Sequence, residues 1–257
     1  MLLFENITLA YGSRTLLEGV TAEIRAGEST ALIGRNGTGK STLLRAVAGI
    51  GTQTLCSGGI FIGGADTARM KPSERARTVS VVTTDKCRVA NLRAEDAVAL
   101  GRAPYTNWIG RMQHADREIV ARSLEQVGMT AFASKTMDSL SDGEAQRVMI
   151  ARALAQRTPV ILLDEPTAFL DMPARYELCT LLRRLAREEG KCILFSTHEL
   201  DIAMRVCDRV AVIDTPSLHV ATPAETLRGG ILHRLFSSAG ADMDALLGEA
   251  AAAVRTE

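Results

Sequence analysis

No apolar run in this 257-residue chain approaches about 18 residues, so no segment is predicted to cross a membrane as a helix. The opening residues, Met1-Leu2-Leu3-Phe4-Glu5-Asn6, lack the basic stretch and apolar core of a secretory leader. Net charge is missing too: Lys+Arg and Asp+Glu are 30 each. That balance removes any global electrostatic argument for nucleic acid as the main partner. The five cysteines (Cys56, Cys87, Cys179, Cys192, Cys207) are scattered, odd in number and without C-x-x-C spacing. They read as thiols in a reducing compartment, not as a disulfide framework or a zinc site. No whole-chain repeat and no long linker interrupts the sequence. The expectation is a cytoplasmic chain of one large or two small domains, whose role at any membrane would come through a partner.

Against these absences stands Gly34-Arg35-Asn36-Gly37-Thr38-Gly39-Lys40-Ser41. It matches G-x-x-x-x-G-K-[ST] at every fixed position. Ser29–Ile33 before it reads as a strand. Lys40–Ala48 after it reads as a helix with Leu43, Leu44, Val47 and Ala48 on one face and Gly49 as its stop. In that setting the loop's backbone N–H groups and the helix N-terminus form a site for the phosphates of a nucleotide. Gly37 and Gly39 allow close backbone approach. Lys40 is placed for the β- and γ-phosphates, and Ser41 can offer its hydroxyl to Mg²⁺.

The rest of the chain alternates. Residues 2–10 and 15–25 predict an antiparallel hairpin broken at Tyr11-Gly12-Ser13-Arg14. Tyr11 has two readings, turn packing or an aromatic face for adenine, and spacing does not choose between them. Residues 55–64 predict a glycine-bracketed strand pair, Pro72-Ser73-Glu74 a short helix, and Val79–Val82 a strand. From about residue 85 to 157 helix formers dominate, with a stripe of Ile119, Val120, Leu124 and Val127 ended by Gly128. This reads as an inserted helical subdomain. Its Trp108 reads equally as a contact surface or as packing. Strand–helix alternation then resumes with Val160–Leu163, a helix opened by Pro173, the strand Cys192–Phe195, a short helix and the strand Val210–Ile213. A further helix starts at Pro223, with an Ala-rich stretch later. Buried parallel strands of this kind imply an α/β core with ligands at the strands' carboxyl ends.

Asp164-Glu165 closes the apolar run Val160–Leu163. An acidic residue there, downstream of a phosphate loop, is placed to hold Mg²⁺ directly or through water, and Glu165 can polarise an attacking water. Leu140-Ser141-Asp142-Gly143-Glu144 is the third signal. Ser141 and Glu144 fit a capping box. Capping does not explain Gly143. A serine, a glycine and an open helix N-terminus could together grip a phosphate.

In this order, with Ala168-Phe169-Leu170-Asp171 and then His198, the chain resembles the ATP-binding subunit of an ABC transporter over nearly its whole length. The resemblance implies a P-loop NTPase (RecA-like) α/β core at 1–84 and 158–257, with an N-terminal antiparallel β region and a helical signature subdomain at 85–157. It implies a head-to-tail dimer sandwiching two ATP with Mg²⁺. Each site would pair Gly34–Thr42 of one subunit, including Asn36 and Thr42, with Ser141 and Gly143 of the other. Tyr11 then resembles the adenine-stacking aromatic and Glu165 the general base. Likewise, His198 resembles the switch histidine at the γ-phosphate, and Asp171 belongs to the loop crossing the dimer interface. Ser41 and Asp164 take the metal side.

Two departures stand out. Where the family usually has a glutamine, near the end of Val79–Val82, this chain has Thr84, flanked by Thr83 and Asp85. The resemblance leaves two readings: Thr84 or Asp85 replaces a residue that senses Mg²⁺ and the attacking water, or the coupling to the membrane partner differs; Thr84 is carried as a metal-side candidate. The signature reads Ser-Asp-Gly-Glu where Ser-Gly-Gly-Gln is commoner, and its two acidic residues should make the helix start less welcoming to phosphate.

The segment Ala97–Tyr105 is similar to importers of iron–siderophore complexes, haem or cobalamin. That implies membrane permease subunits as partners, an extracytoplasmic substrate-binding protein acting indirectly, and a peripheral place on the cytoplasmic face of the membrane. A soluble ABC ATPase, for example in Fe–S cluster assembly, is the alternative. A P-loop kinase or GTPase leaves Ser141-Asp142-Gly143 and His198 unexplained.

Overall fold

The computed structural model describes residues 1–51, 54–85, 89–106 and 112–236. Cys87, Trp108 and the Ala-rich stretch beyond residue 236 lie outside the described residues.

Two sheets carry the fold. The first is antiparallel. β1 (Leu2–Tyr11) pairs with β2 (Arg14–Ile24) on one side and β4 (Thr54–Ile62) on the other, and β4 pairs with the two-residue β5 (Ala65–Asp66). Residues 55–64 therefore form one strand and its turn, not a strand pair. Gly58 does not end that strand because it accommodates a bulge. A Cβ there would lie 2.3 Å from the carbonyl oxygen of Asn6 on β1. The β1–β4 register shifts between Glu5 and Thr8.

The second sheet has the order β10-β9-β3-β8-β7-β6. β3 (Ser29–Ile33), β6 (Val79–Val82), β7 (Val160–Leu163), β8 (Cys192–Ser196) and β9 (Arg209–Asp214) run parallel. β10 (Ser217–Ala221) returns antiparallel along β9 across the cis Thr215–Pro216 bond. β10 falls where the sequence reading passes from Ile213 to Thr222.

Alternate residues of the parallel strands enter two different cores, as strands covered on both faces require. Val160, Leu162, Cys192, Leu194, Ala211 and Ile213 join the antiparallel sheet and α1 (Lys40–Ala48), which buries Leu43, Leu44 and Val47. Ile161, Leu163, Ile193, Phe195, Val210 and Val212 face the helices of the opposite layer. These helices include α3 (Ala94–Ala99), α4 (His114–Gln126), α5 (Asp142–Ala155), α6 (Met172–Glu188) and α7 (Leu200–Val206). The short α2 (Pro72–Arg75) precedes β6. The α/β architecture with its antiparallel β region is the expected one.

α3, α4 and α5 pack on one another, and α5 carries their apolar faces into the sheet's core without a break. The stripe Val120, Leu124, Val127 is buried, and Gly128 ends it at φ +73°. Because four of the parallel strands lie side by side as β3-β8-β7-β6, their carboxyl ends fall along one edge. Every strand-end residue singled out in the sequence lies on that edge.

Candidate functional site

β3 delivers the phosphate loop. A left-handed turn at Gly37 (φ +77°) and another at Gly39 (φ +101°) wrap residues 34–39 around the start of α1. A Cβ on Gly39 would meet Leu16 of β2 at 2.9 Å, and one on Gly34 would meet Thr38 Oγ1 at 2.8 Å. Gly39 is therefore favoured by backbone conformation as well as by close approach, and Gly34 by close approach alone. Asn36 sits exposed at the tip, and Thr38 Oγ1 donates to the Arg35 carbonyl at 2.8 Å.

Lys40 turns back into this loop. Its ammonium is buried and donates to the Gly34 carbonyl at 2.9 Å and to that of Arg35 at 3.4 Å. Burial pushes its pKa below the ordinary lysine value, and the carboxylates of Glu165 and Asp164 oppose that shift. The two acids that end β7 thus favour the charged lysine against its burial.

Those acids sit at the meeting point of three strands. Ser41 Oγ donates to Asp164 Oδ1 at 2.9 Å, and Ser196 Oγ donates to the same oxygen at 2.7 Å. Ser196 also accepts the Glu165 N–H at 2.8 Å. From the other flank, Thr84 Oγ1 donates to the Asp164 carbonyl at 2.9 Å. Glu165 has φ +46°, a conformation that few residues with side chains adopt.

His198 follows β8 and is half exposed. Its Nδ1 lies 4.0 Å from Glu165 Oε1, and its Nε2 lies 3.4 Å from Glu199 Oε1. Glu199 in turn pairs with Arg175 of α6, whose Nε donates to the Leu170 carbonyl at 2.8 Å. Asp171 is the N-cap of α6, accepting the Ala174 N–H at 3.0 Å. A continuous polar path therefore runs from the histidine to the loop 168–171.

The structure brings Lys40, Ser41, Thr84, Asp164, Glu165 and His198 together within one chain. Ser141 and Gly143 are placed elsewhere, at the start of α5. Ser141 is bonded to Glu144 in the capping box, and Gly143 faces Leu170, with 3.5 Å between a Cβ built there and Leu170 Cδ2. Tyr11 is 59% exposed at the tip of the β1–β2 hairpin, paired through its backbone with Arg14. Its hairpin reaches the phosphate loop through Leu16. Thr42 lies half-buried in the first turn of α1.

Three participants escape the sequence reading: Ser196, Glu199 and Arg175. Only Ser196 leaves a signal, a hydroxyl at the end of a buried apolar strand. Its value appears once β8 is known to lie beside β7.

The donor set can be tested for Mg²⁺. Ser41 and Asp164 converge as hard oxygen ligands, and no cluster of three or more His, Cys, Asp or Glu that could hold a metal occurs among the described residues. One carboxylate and one hydroxyl, with phosphates and water making up the rest, is the way Mg²⁺ is commonly bound, so the residues fit it.

A sequence profile of the ABC transporter family matches residues 17–168. The iron(3+)-hydroxamate import ATP-binding protein of Bacillus subtilis is 34% identical over 90% of this chain and 86% of its own. Among solved structures, a transporter assigned to the metal-chelate type in an inward-facing conformation superposes with a TM-score of 0.79 at 25% identity. That match covers 92% of this chain and 88% of the other. An ATP-binding cassette captured as a dimer after hydrolysis, with ADP and phosphate, gives 0.71 at 27% identity, over 87% of this chain and 99% of that one.

Proposed function

The chain belongs to the ABC transporter family as an ATP-binding ATPase, and from that premise we propose that it powers an importer of metal chelates. The convergence of Lys40, Ser41, Asp164 and Glu165 at adjoining strand ends supports the ATP-hydrolysing part of this reading most directly. In it, residues 34–42 enclose the triphosphate of ATP, with Lys40 at the β- and γ-phosphates. Ser41 and Asp164 would hold Mg²⁺, which when bound supplies positive charge across the phosphate oxygens, and Thr84 stands beside them. Glu165 takes a proton from a water whose oxygen bonds to the γ-phosphorus as the bond to the bridging oxygen of ADP breaks. His198 donates to the γ-phosphate, and Tyr11 stacks on adenine.

Ser141 and Gly143 lie away from the loop in their own chain, so they would serve the loop of a second copy. Two chains would then close head to tail over two ATP, with Asp171 in the loop at their interface. In this reading 1–84 and 158–257 form the nucleotide core and 85–157 the signature unit. No helix among the described residues is long and apolar enough to cross a membrane. In this reading permease subunits complete the transporter, with the chain peripheral on their cytoplasmic side and a substrate-binding protein acting outside. The import role follows the chain's relatives: one named for iron-hydroxamate import and one assigned to the metal-chelate type.

Glu165→Gln is the direct test. Steady-state hydrolysis should fall by about 100-fold or more while ATP binding persists and ATP drives a stable dimer. A wild-type rate would refute Glu165 as the base. The import reading is checked by purification from detergent-solubilised membranes, where absence of a co-purifying permease would count against it.

A further inference from the structure

One peptide unit separates the two carboxylates of the site, and two hydroxyls hold it from opposite sides. The carbonyl of Asp164 accepts from Thr84 Oγ1 at 2.9 Å. The N–H of Glu165, on the same peptide, donates to Ser196 Oγ at 2.8 Å. Ser196 completes the arrangement by donating its own hydrogen to Asp164 Oδ1 at 2.7 Å. The hydroxyls come from the turn just after β6 and from the last residue of β8, the two strands that flank β7.

Regular sheet pairing does not supply these bonds. The last ladder bond on this side runs from the Asp164 N–H to the Val82 carbonyl at 2.9 Å. Beyond it the chain leaves the extended conformation, and Glu165 turns to φ +46°. A glutamate keeps such a conformation only where its surroundings determine it. With Ser196 fully buried, the peptide's two polar groups would otherwise be left without a strand partner.

We propose that Thr84 and Ser196 are positioning residues for hydrolysis, two hydroxyls that clamp the Asp164–Glu165 peptide and so aim the Glu165 carboxylate at the attacking water. This rests on the reading of Glu165 as general base. It also gives the threonine at position 84 a task of its own, whatever a glutamine does in relatives. Thr84 is the cleaner probe, because Ser196 also touches the metal-side oxygen of Asp164.

The test uses the full chain with ATP and Mg²⁺. Thr84→Val keeps the branched shape and removes the hydroxyl. It should lower kcat by about tenfold, with KM and the affinity for a non-hydrolysable ATP analogue changed by no more than about twofold, since a misaimed group loses rate rather than binding. Thr84→Ser should restore most of the rate. In a Glu165→Gln background Thr84→Val should cause no further loss, because its effect passes through Glu165. If the valine variant does not fold, judged by its melting temperature, Thr84→Ala takes its place.

A wild-type kcat in Thr84→Val, a serine variant no better than valine, or a KM that rises as kcat falls would each overturn the clamp. A Glu165→Gln variant that hydrolyses normally would remove the base reading itself. An inactive Glu165→Gln beside a fully active Thr84→Val removes the clamp alone.

Discussion

Ser141 and Glu144 hold each other: the serine hydroxyl donates to Glu144 Oε2 at 2.8 Å and accepts the Glu144 N–H at 3.3 Å. The Ser141 N–H donates to the same carboxylate at 2.8 Å. Those bonds, the backbone one first, keep the Glu144 carboxyl below the ordinary glutamate range, so it is charged at neutral pH. In the proposed head-to-tail dimer, the hydroxyl that would reach a phosphate of the other subunit is already donating, and an anion stands beside it.

Glu144→Gln should therefore tighten the ATP-driven dimer. It replaces a charge-assisted bond by a neutral one and removes a charge that repels phosphate. In the Glu165→Gln background, light scattering against ATP concentration should show dimer affinity rising by about three- to tenfold, roughly the worth of one hydrogen bond. Unchanged or weaker association would mean that the acidic signature does not oppose closure.

Lys40 gives a pH prediction. Its pKa lies below the ordinary value through burial, and Glu165 and Asp164 limit the fall. ATP favours the protonated lysine, so affinity should decline as pH rises through a midpoint below about 10.4. Glu165→Gln removes one of the two supporting charges, so its midpoint should lie lower still. Affinities for a non-hydrolysable analogue between pH 7 and 10 measure both. Lys40→Met should lose this pH dependence and bind at least about tenfold more weakly at pH 7, with the gap narrowing as the wild-type lysine deprotonates.

What could be read from sequence divides along a physical line. The phosphate loop, the Ser141–Glu144 box and the apolar run before Asp164 are local patterns, set by residues within one turn or one strand. The clamp is not local. Thr84, Asp164 and Ser196 are distant in sequence and meet only because β6, β7 and β8 adjoin in parallel register. The Arg175–Glu199 pair needs the packing of α6 against the turn after β8, which no spacing encodes. Gly58 misleads in the other direction, because a glycine that relieves a bulge looks in sequence like one that ends a strand. β10 does leave a trace in the alternation of Ser217–Ala221, but it is short and follows Pro216.

Arg102 and Asp116 make the last prediction. They form an ion pair at 2.9 Å, both nine-tenths buried or nearly so, between the segment after α3 and the start of α4. Arg102 also donates to the Ala155 carbonyl at 2.7 Å and lies over the Tyr105 ring at 4.1 Å. Asp116 accepts the Gln113 N–H at 2.9 Å, and that bond, followed by Arg102, holds its carboxyl below the ordinary aspartate range. A carboxyl whose pKa is depressed by folding stabilises the fold fully above the unfolded value of about 3.9. That contribution disappears as pH falls through the lower, folded value. The pair should therefore be indifferent to pH between about 5 and 8 and lose its contribution only in stronger acid. Arg102→Met leaves the carboxylate buried without its partner and should cost about 3–5 kcal/mol at pH 7 by urea denaturation. Arg102→Met with Asp116→Leu should recover part of that loss, because no unpaired charge remains. Recovery should stop short of complete, since the Gln113 N–H and the Ala155 carbonyl each lose a partner. A double variant as unstable as the single one would show that the lost backbone bonds, one capping α4 and one reaching α5, cost as much as the unpaired charge.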